Sequence, residues 1–241
     1  MPMLTGFELA KNKHEKNTLK IIKQNLNGLK KISKDRQIQE LKKILSVKNF
    51  YKINSDKISK ELFLLIFPEL KNLNRIHKLD DFRIDILKNK SFEFMLSLLL
   101  IDKTEDCDYF IFKYNLSNKE KNKINFLYSF LANEPIKDYF TTKNLSKILL
   151  KNGKENLIDI LDFKILTTKN NENIFLDLKK YFLQFKIPNM PIKANYLIEK
   201  FKLKEGKLLG SILKEVEEQW VENNFEISND QVENIVKSKG I

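Results

Sequence analysis

Apolar side chains recur at three- and four-residue intervals almost from one end of this chain to the other, the repeat of one face of an α-helix. Leu19, Ile22, Leu26 and Leu29 share such a face. The next helix starts behind Ser33, a good N-cap residue, and carries Ile38, Leu41, Ile44 and Leu45 inward. A helix through Phe63–Phe67 is stopped by Pro68. Phe92 to Ile101 is apolar nearly all round, which predicts a buried central helix. Ser117 caps a run with Ile124, Leu127, Phe130 and Leu131, and further helical patterns cover 145–150, 155–166 and 174–185. Two prolines in Ile187-Pro188-Asn189-Met190-Pro191 then break the pattern and mark a domain edge. Beyond them the sequence predicts a short helix over 193–201, a glycine turn and a long helix. Leu208, Leu209, Ile212, Leu213, Val216, Trp220 and Val221 form the inner face of that long helix, and a last short helix follows Ser228. No segment alternates with the two-residue period of a strand, so the expected fold is all-α, with about ten to thirteen helices.

Composition places this pattern in a water-soluble chain. The 241 residues are 42% hydrophobic and 32% charged, and no apolar run, the longest being about 62–67 and 95–101, approaches the length of a membrane span. Met1 to Ala10 lacks the basic start and apolar core of a signal peptide. A single cysteine excludes an internal disulfide and a cysteine-based zinc site. A cytoplasmic protein with no membrane partner is expected. The formal charge of +12 points to a polyanionic partner, but only three of the 44 basic residues are Arg, namely Arg36, Arg75 and Arg83. Such a lysine excess is what codon drift in an AT-rich genome produces, so the total alone says little. The distribution says more. Residues 1–60 hold fifteen Lys and Arg against five acids, whereas 201–241 hold six Lys against eight acids. A basic N-terminal half would follow a phosphate backbone.

Catalytic patterns are sparse. His14 and His77 lie apart from each other and from Cys107, which reads as a structural thiol. No phosphate-cradling glycine motif occurs. Thr104-Glu105-Asp106-Cys107-Asp108 contains an Asp-x-Asp that could in principle hold divalent metals. That chemistry needs a strand and a neighbouring glycine turn, and the nearest glycines are Gly28 and Gly153; the segment reads as a solvated acidic loop, as does Asp80-Asp81. No catalytic residue and no metal ligand is therefore expected. Gly206 and Gly210, four apart, predict close packing of the long helix against a neighbour.

Two stretches go beyond composition. Leu29 to Leu45, with Ser33, Asp35, Arg36, Gln37, Glu40 and Leu41, resembles the neck segment of bacterial CCA-adding tRNA nucleotidyltransferases and related poly(A) polymerases. There a helix ends at a Ser, followed by an acid-Arg pair and then Glu-Leu. Asp35 stands where Glu is usual and Gln37 where Ile is usual, while Ser33, Arg36, Glu40 and Leu41 match. Leu64-Leu65-Ile66-Phe67-Pro68-Glu69 is similar to a helix end of the same family, and Leu116-Ser117-Asn118 to one of its helix starts. The second stretch runs from Pro191 through Phe201–Gly210 to Leu213, Glu217 and Trp220, and resembles the family's tail, where a glycine turn opens a long helix that a Trp closes.

The resemblance covers residues of about 14–236 and implies an irregular multi-helix bundle of the body-and-tail type. It divides the chain into a short extension over 1–13, an RNA-binding neck and body over 14–187, and a tail over 188–241. The family's catalytic head, with its glycine-rich turn, strand-borne Asp-x-Asp and nucleotide-binding arginines, has no counterpart in this sequence. Mg and CTP or ATP would belong to that head, so no cofactor is expected here, and a separate head polypeptide is an implied partner. The other implied partner is tRNA or another structured RNA, held by phosphate contacts from Lys30, Lys31, Lys34, Lys42 and Lys43. Arg36 is expected to pair with Glu40, one helical turn on. A free-standing RNA-binding module and a protein scaffold whose charge is only drift are the alternatives.

Overall fold

A computed structural model describes residues 20–21, 24–47, 49–102, 104–131, 139–168 and 172–240, with the backbone alone for Leu26, Leu29 and Lys30. Leu19, Ile22 and His14 lie outside the described residues. Among these residues are eleven α-helices and no strand, as the periodicity predicts. They are α1 (Lys34–Leu45), α2 (Lys57–Ile66), α3 (Asp81–Lys88), α4 (Phe92–Leu100), α5 (Asp106–Lys113), α6 (Asn118–Leu131), α7 (Thr142–Thr167), α8 (Glu172–Gln184), α9 (Ala194–Phe201), α10 (Lys207–Glu222) and α11 (Asn229–Ser238). Short 3₁₀ turns cover Leu26–Lys31, Phe50–Ser55 and Leu73–Ile76. The chain divides into two compact units. One contains Met1–Pro135 and Asp159–Leu176, the other Ile136–Ile158 and Asp177–Ile241.

The first unit is built around α4. Its residues from Phe94 to Leu100 are all buried, and α1, α5, α6 and the turn at Leu73–Ile76 pack against it. Such a helix leaves its last carbonyls without partners inside the protein. Arg75 supplies donors for two of them, its Nη1 lying 2.8 Å from the Leu98 carbonyl and 2.6 Å from that of Ile101. Asn72 Nδ2 donates to the Leu99 carbonyl at 2.9 Å. Aromatic side chains link the neighbouring helices in sequence, Phe50 to Phe63, Phe63 to Phe67, and Phe67 to Tyr114, with ring centroids 5.4, 5.7 and 6.0 Å apart. Buried charges are paired, as their desolvation requires. Lys90 Nζ lies 2.7 Å from Asp159 and 2.6 Å from Asp162, and Lys123 lies 2.6 Å from Asp159.

In the second unit α10 packs against α9 and α11. Leu197, Ile212, Val216, Val232 and Ile235 are among the buried residues of its core. Trp220 is buried near the end of α10, its ring centroid 4.9 Å from that of Phe225. Leu208, expected on the inner face, is exposed, because the buried stripe begins one residue later at Leu209. Gly206 and Gly210 do not serve close packing: a Cβ on either would meet no heavy atom within 4 Å. Gly206 is instead suited to its backbone, with φ 152° at the N-cap of α10. The patterns over 145–150 and 155–166 form two helical stretches, as expected, which meet across a kink at Gly153, where φ is 82°; α7 denotes the pair. Pro188 to Pro191 separates α8 from α9 within the second unit.

Candidate nucleic-acid interface

Of the cations singled out in the sequence, Lys30, Lys31 and Lys34 lie at or just before the start of α1, and Lys42 and Lys43 lie in its last turn. The 3₁₀ turn of Leu26–Lys31 brings the chain to Ser33, whose extended backbone and side-chain oxygen cap the helix by accepting from the Arg36 N–H at 3.3 Å. Gln37 Nε2 donates back to the Ile32 carbonyl at 3.0 Å and ties the turn to the first helical turn. Ile38, Leu41, Ile44 and Leu45 face the core, Gln37, Glu40 and Lys42 are half-buried, and the remaining positions of the helix are exposed. Lys31, Lys34, Asp35 and Arg36 are all exposed.

The charges there are not equivalent. Among the described residues, the side chains of Lys31, Lys34 and Arg36 make no ion pair. Lys34 Nζ instead stands 5.5 Å from the centre of the Tyr114 ring. The expected pair between Arg36 and Glu40 does not form: Glu40 takes Lys43 at 2.8 Å. An acid N-terminal to its base is the favourable order along a helix, and Arg36-to-Glu40 runs the other way. Lys42 is engaged inside the fold, 2.5 Å from the buried carboxylate of Glu120 on α6. The side chain of Lys30, in the turn before Ser33, lies outside the described residues. The start of α1 and the turn before it therefore expose three cations that no carboxylate among the described residues compensates, Lys31, Lys34 and Arg36, with Asp35 as the one acid between them in the chain.

Glu120 shows how the fold holds this face. Its carboxylate also accepts from the Ser117 backbone N–H at 2.8 Å and from the Ser117 hydroxyl at 2.7 Å. Burial is the largest single influence on it and acts upward, yet the bonds from Lys42 and Ser117 together hold its pKa below the ordinary glutamate value. Glu120 thus caps α6 and anchors the last turn of α1.

Sequence reasoning overlooked part of this region. The segment read as an acidic loop enters a helix: Asp106 and Asp108 lie in the first turn of α5, where acids favour the positive end of the helix dipole. Two apart on a helix, they project about 200° from one another, and Asp106 pairs with Lys71 at 2.5 Å. Asp80 likewise caps α3, accepting from the Arg83 N–H at 2.8 Å. Among the described residues no group of three or more His, Cys, Asp or Glu is placed to hold a metal ion. On α5, Tyr109 and Phe112 are exposed while Cys107, Phe110 and Ile111 are buried. The signal was available, because Phe112 falls opposite the apolar face set by its neighbours.

Residues 13–73 match a protein family described as "Probable RNA and SrmB- binding site of polymerase A". The matched stretch contains the turn, Ser33, α1 and the free cations, so this part of the chain is similar to an RNA-binding segment of the polymerase A family. No curated protein matches the chain. Among the described residues no helix is long and apolar enough to cross a membrane.

Proposed function

We propose that this protein binds RNA through the capped start of α1, as the helical body and tail of a CCA-adding nucleotidyltransferase whose catalytic head is not among these residues. The observation that carries the reading is the coincidence of two independent features. The segment similar to the polymerase A RNA-binding site is the same segment that presents Lys31, Lys34 and Arg36 without internal carboxylate partners. Cations in that state release counterions when they meet phosphates, whereas Lys42 and Lys43 must first give up a carboxylate. We therefore put Lys31, Lys34 and Arg36 in direct contact with the RNA backbone, and Lys42 and Lys43 behind them. The neck and body extend over 14–187 and the tail over 188–241. Structured tRNA in the cytoplasm is the substrate this reading implies, bound by position more than by sequence.

The test is the salt dependence of binding. Replacing Lys31, Lys34 and Arg36 together by Gln should weaken tRNA binding and lower the slope of log affinity against log salt by about two to three. Replacing Lys237 and Lys239 in the acid-rich tail should change the slope little, since Lys239 is already paired with Glu215 at 2.7 Å. Equal losses from the two sets would mean that the charge acts diffusely and that the site is misplaced.

A further inference from the structure

The most exposed large apolar side chain among the described residues is Phe112, at 84%, and Tyr109, one turn before it on α5, is 54% exposed. At i and i+3 they are neighbours on one helical face, opposite the buried Cys107, Phe110 and Ile111. Packing does not explain either. Tyr109 is linked to Lys34 at the start of α1 through a short relay. Lys113 Nζ stands 5.7 Å from the Tyr109 ring centre and 5.0 Å from that of Tyr114, and Lys34 Nζ from α1 stands over the same Tyr114 ring at 5.5 Å. Lys113 is held in place by the buried carboxylate of Glu69 at 2.7 Å. Glu105 and Asp108 are exposed at the other end of the helix.

We propose that Tyr109 and Phe112 form a stacking platform for unpaired RNA bases, beside the phosphate-binding cations at the start of α1. The proposal rests on the RNA-binding reading above and narrows it to a class of RNA. Base faces are available for stacking on aromatic rings only where the RNA is single-stranded, as in a loop or a free 3′ end. The charge arrangement gives the strand a direction of approach. Glu105 and Asp108 repel phosphates from the start of α5, while Lys34 and the cations of α1 attract them past its end. An apolar protein partner would have no use for an unpaired cation, Lys34, close to its seat; a nucleic-acid strand needs both.

The experiment compares the full chain with Phe112→Ala and Phe112→Trp in fluorescence anisotropy. One probe is a labelled, unstructured RNA strand and the other a blunt RNA duplex of the same length. Loss of one stacked base should weaken strand binding by about fivefold to a hundredfold in Phe112→Ala. The salt slope should stay unchanged, because no phosphate contact is lost, and Phe112→Trp should restore the affinity. Duplex binding should not move. Because Phe112 is exposed, its replacement should leave the thermal midpoint in place, which the same samples can show. If Phe112→Ala binds the strand as tightly as the parent while the Lys31, Lys34 and Arg36 replacement weakens it, the RNA site stands and the platform is wrong. If the parent binds neither probe at low salt, the RNA reading fails and takes the platform with it. Loss of self-association in Phe112→Ala, with RNA binding intact, would assign the patch to a contact between copies and overturn the proposal.

Discussion

Glu120 and Cys107 are two buried groups whose surroundings set their charge in opposite directions, and each makes a measurable prediction. Glu120 has its pKa lowered in the folded chain by Lys42 and Ser117 against the upward pressure of burial. A depressed carboxylate contributes stability above its unfolded value and loses it as the pH falls through the folded one. Glu120→Gln should therefore cost about 1–3 kcal/mol near neutrality. The gap to the parent should close in acid, below the ordinary glutamate value of 4.5. Urea midpoints of both proteins between neutral and acid pH would show it; a gap independent of pH would mean that the ion pair with Lys42 contributes nothing. Cys107 goes the other way. Burial first, and then the nearby charges of Asp108 and Asp102, push its thiol up to about 12. Thiolate is the reactive form, so a disulfide reagent at mildly alkaline pH should find no reactive thiol in the native protein and one per chain in denaturant. Rapid labelling of the native protein would show that α5 opens.

At the scale of elements, Arg75 joins parts of the first unit that propensity alone would not. It comes from the turn at Leu73–Ile76, closes the end of α4 through two carbonyls, and lies with its guanidinium 5.5 Å from the Phe163 ring centre on α7. Arg75→Ala should cost about 2–4 kcal/mol, because it leaves buried carbonyls unpaired and removes packing. Arg75→Lys should recover only part of that, since an ammonium lacks the planar fork. Chemical denaturation of the two variants tests this, and equal, small losses would refute it. The helices themselves were largely legible. Ser33, Ser117 and Ser228 cap as their positions predict, and the all-apolar run became the central helix. What escaped depended on partners far along the chain. Nothing near Arg75 announces the carbonyls of α4, nothing near Lys42 announces Glu120, and the acids before Cys107 resemble a loop until their helix is seen. The cations of the candidate site were legible as charge; which of them the fold neutralises was not.

For the whole molecule, the question is whether the chain can do chemistry on the RNA it is proposed to hold. Nucleotidyl transfer is mostly positioning and charge neutralisation: a pair of carboxylates holds divalent metals that bridge the triphosphate and activate the RNA 3′ hydroxyl. The one Asp-x-Asp in the chain cannot make that arrangement, since Asp106 and Asp108 sit on different sides of α5 and Asp106 is occupied by Lys71. The triphosphate would also need backbone N–H groups from a glycine-rich turn. Gly206 and Gly210 are the only two glycines within five residues of one another, and they serve the start of α10. The isolated chain should therefore bind tRNA without extending it. Incubation with labelled CTP or ATP, magnesium and tRNA lacking its 3′ end should give no incorporation, and the same mixture should turn over when a catalytic head polypeptide is added. Incorporation by the clean chain alone, abolished by Asp106→Asn or Asp108→Asn, would place a metal site on α5 and overturn the proposal that catalysis belongs to a head outside these residues. Binding without turnover under any added head would leave the RNA-binding surface in place and remove the nucleotidyltransferase from the proposal.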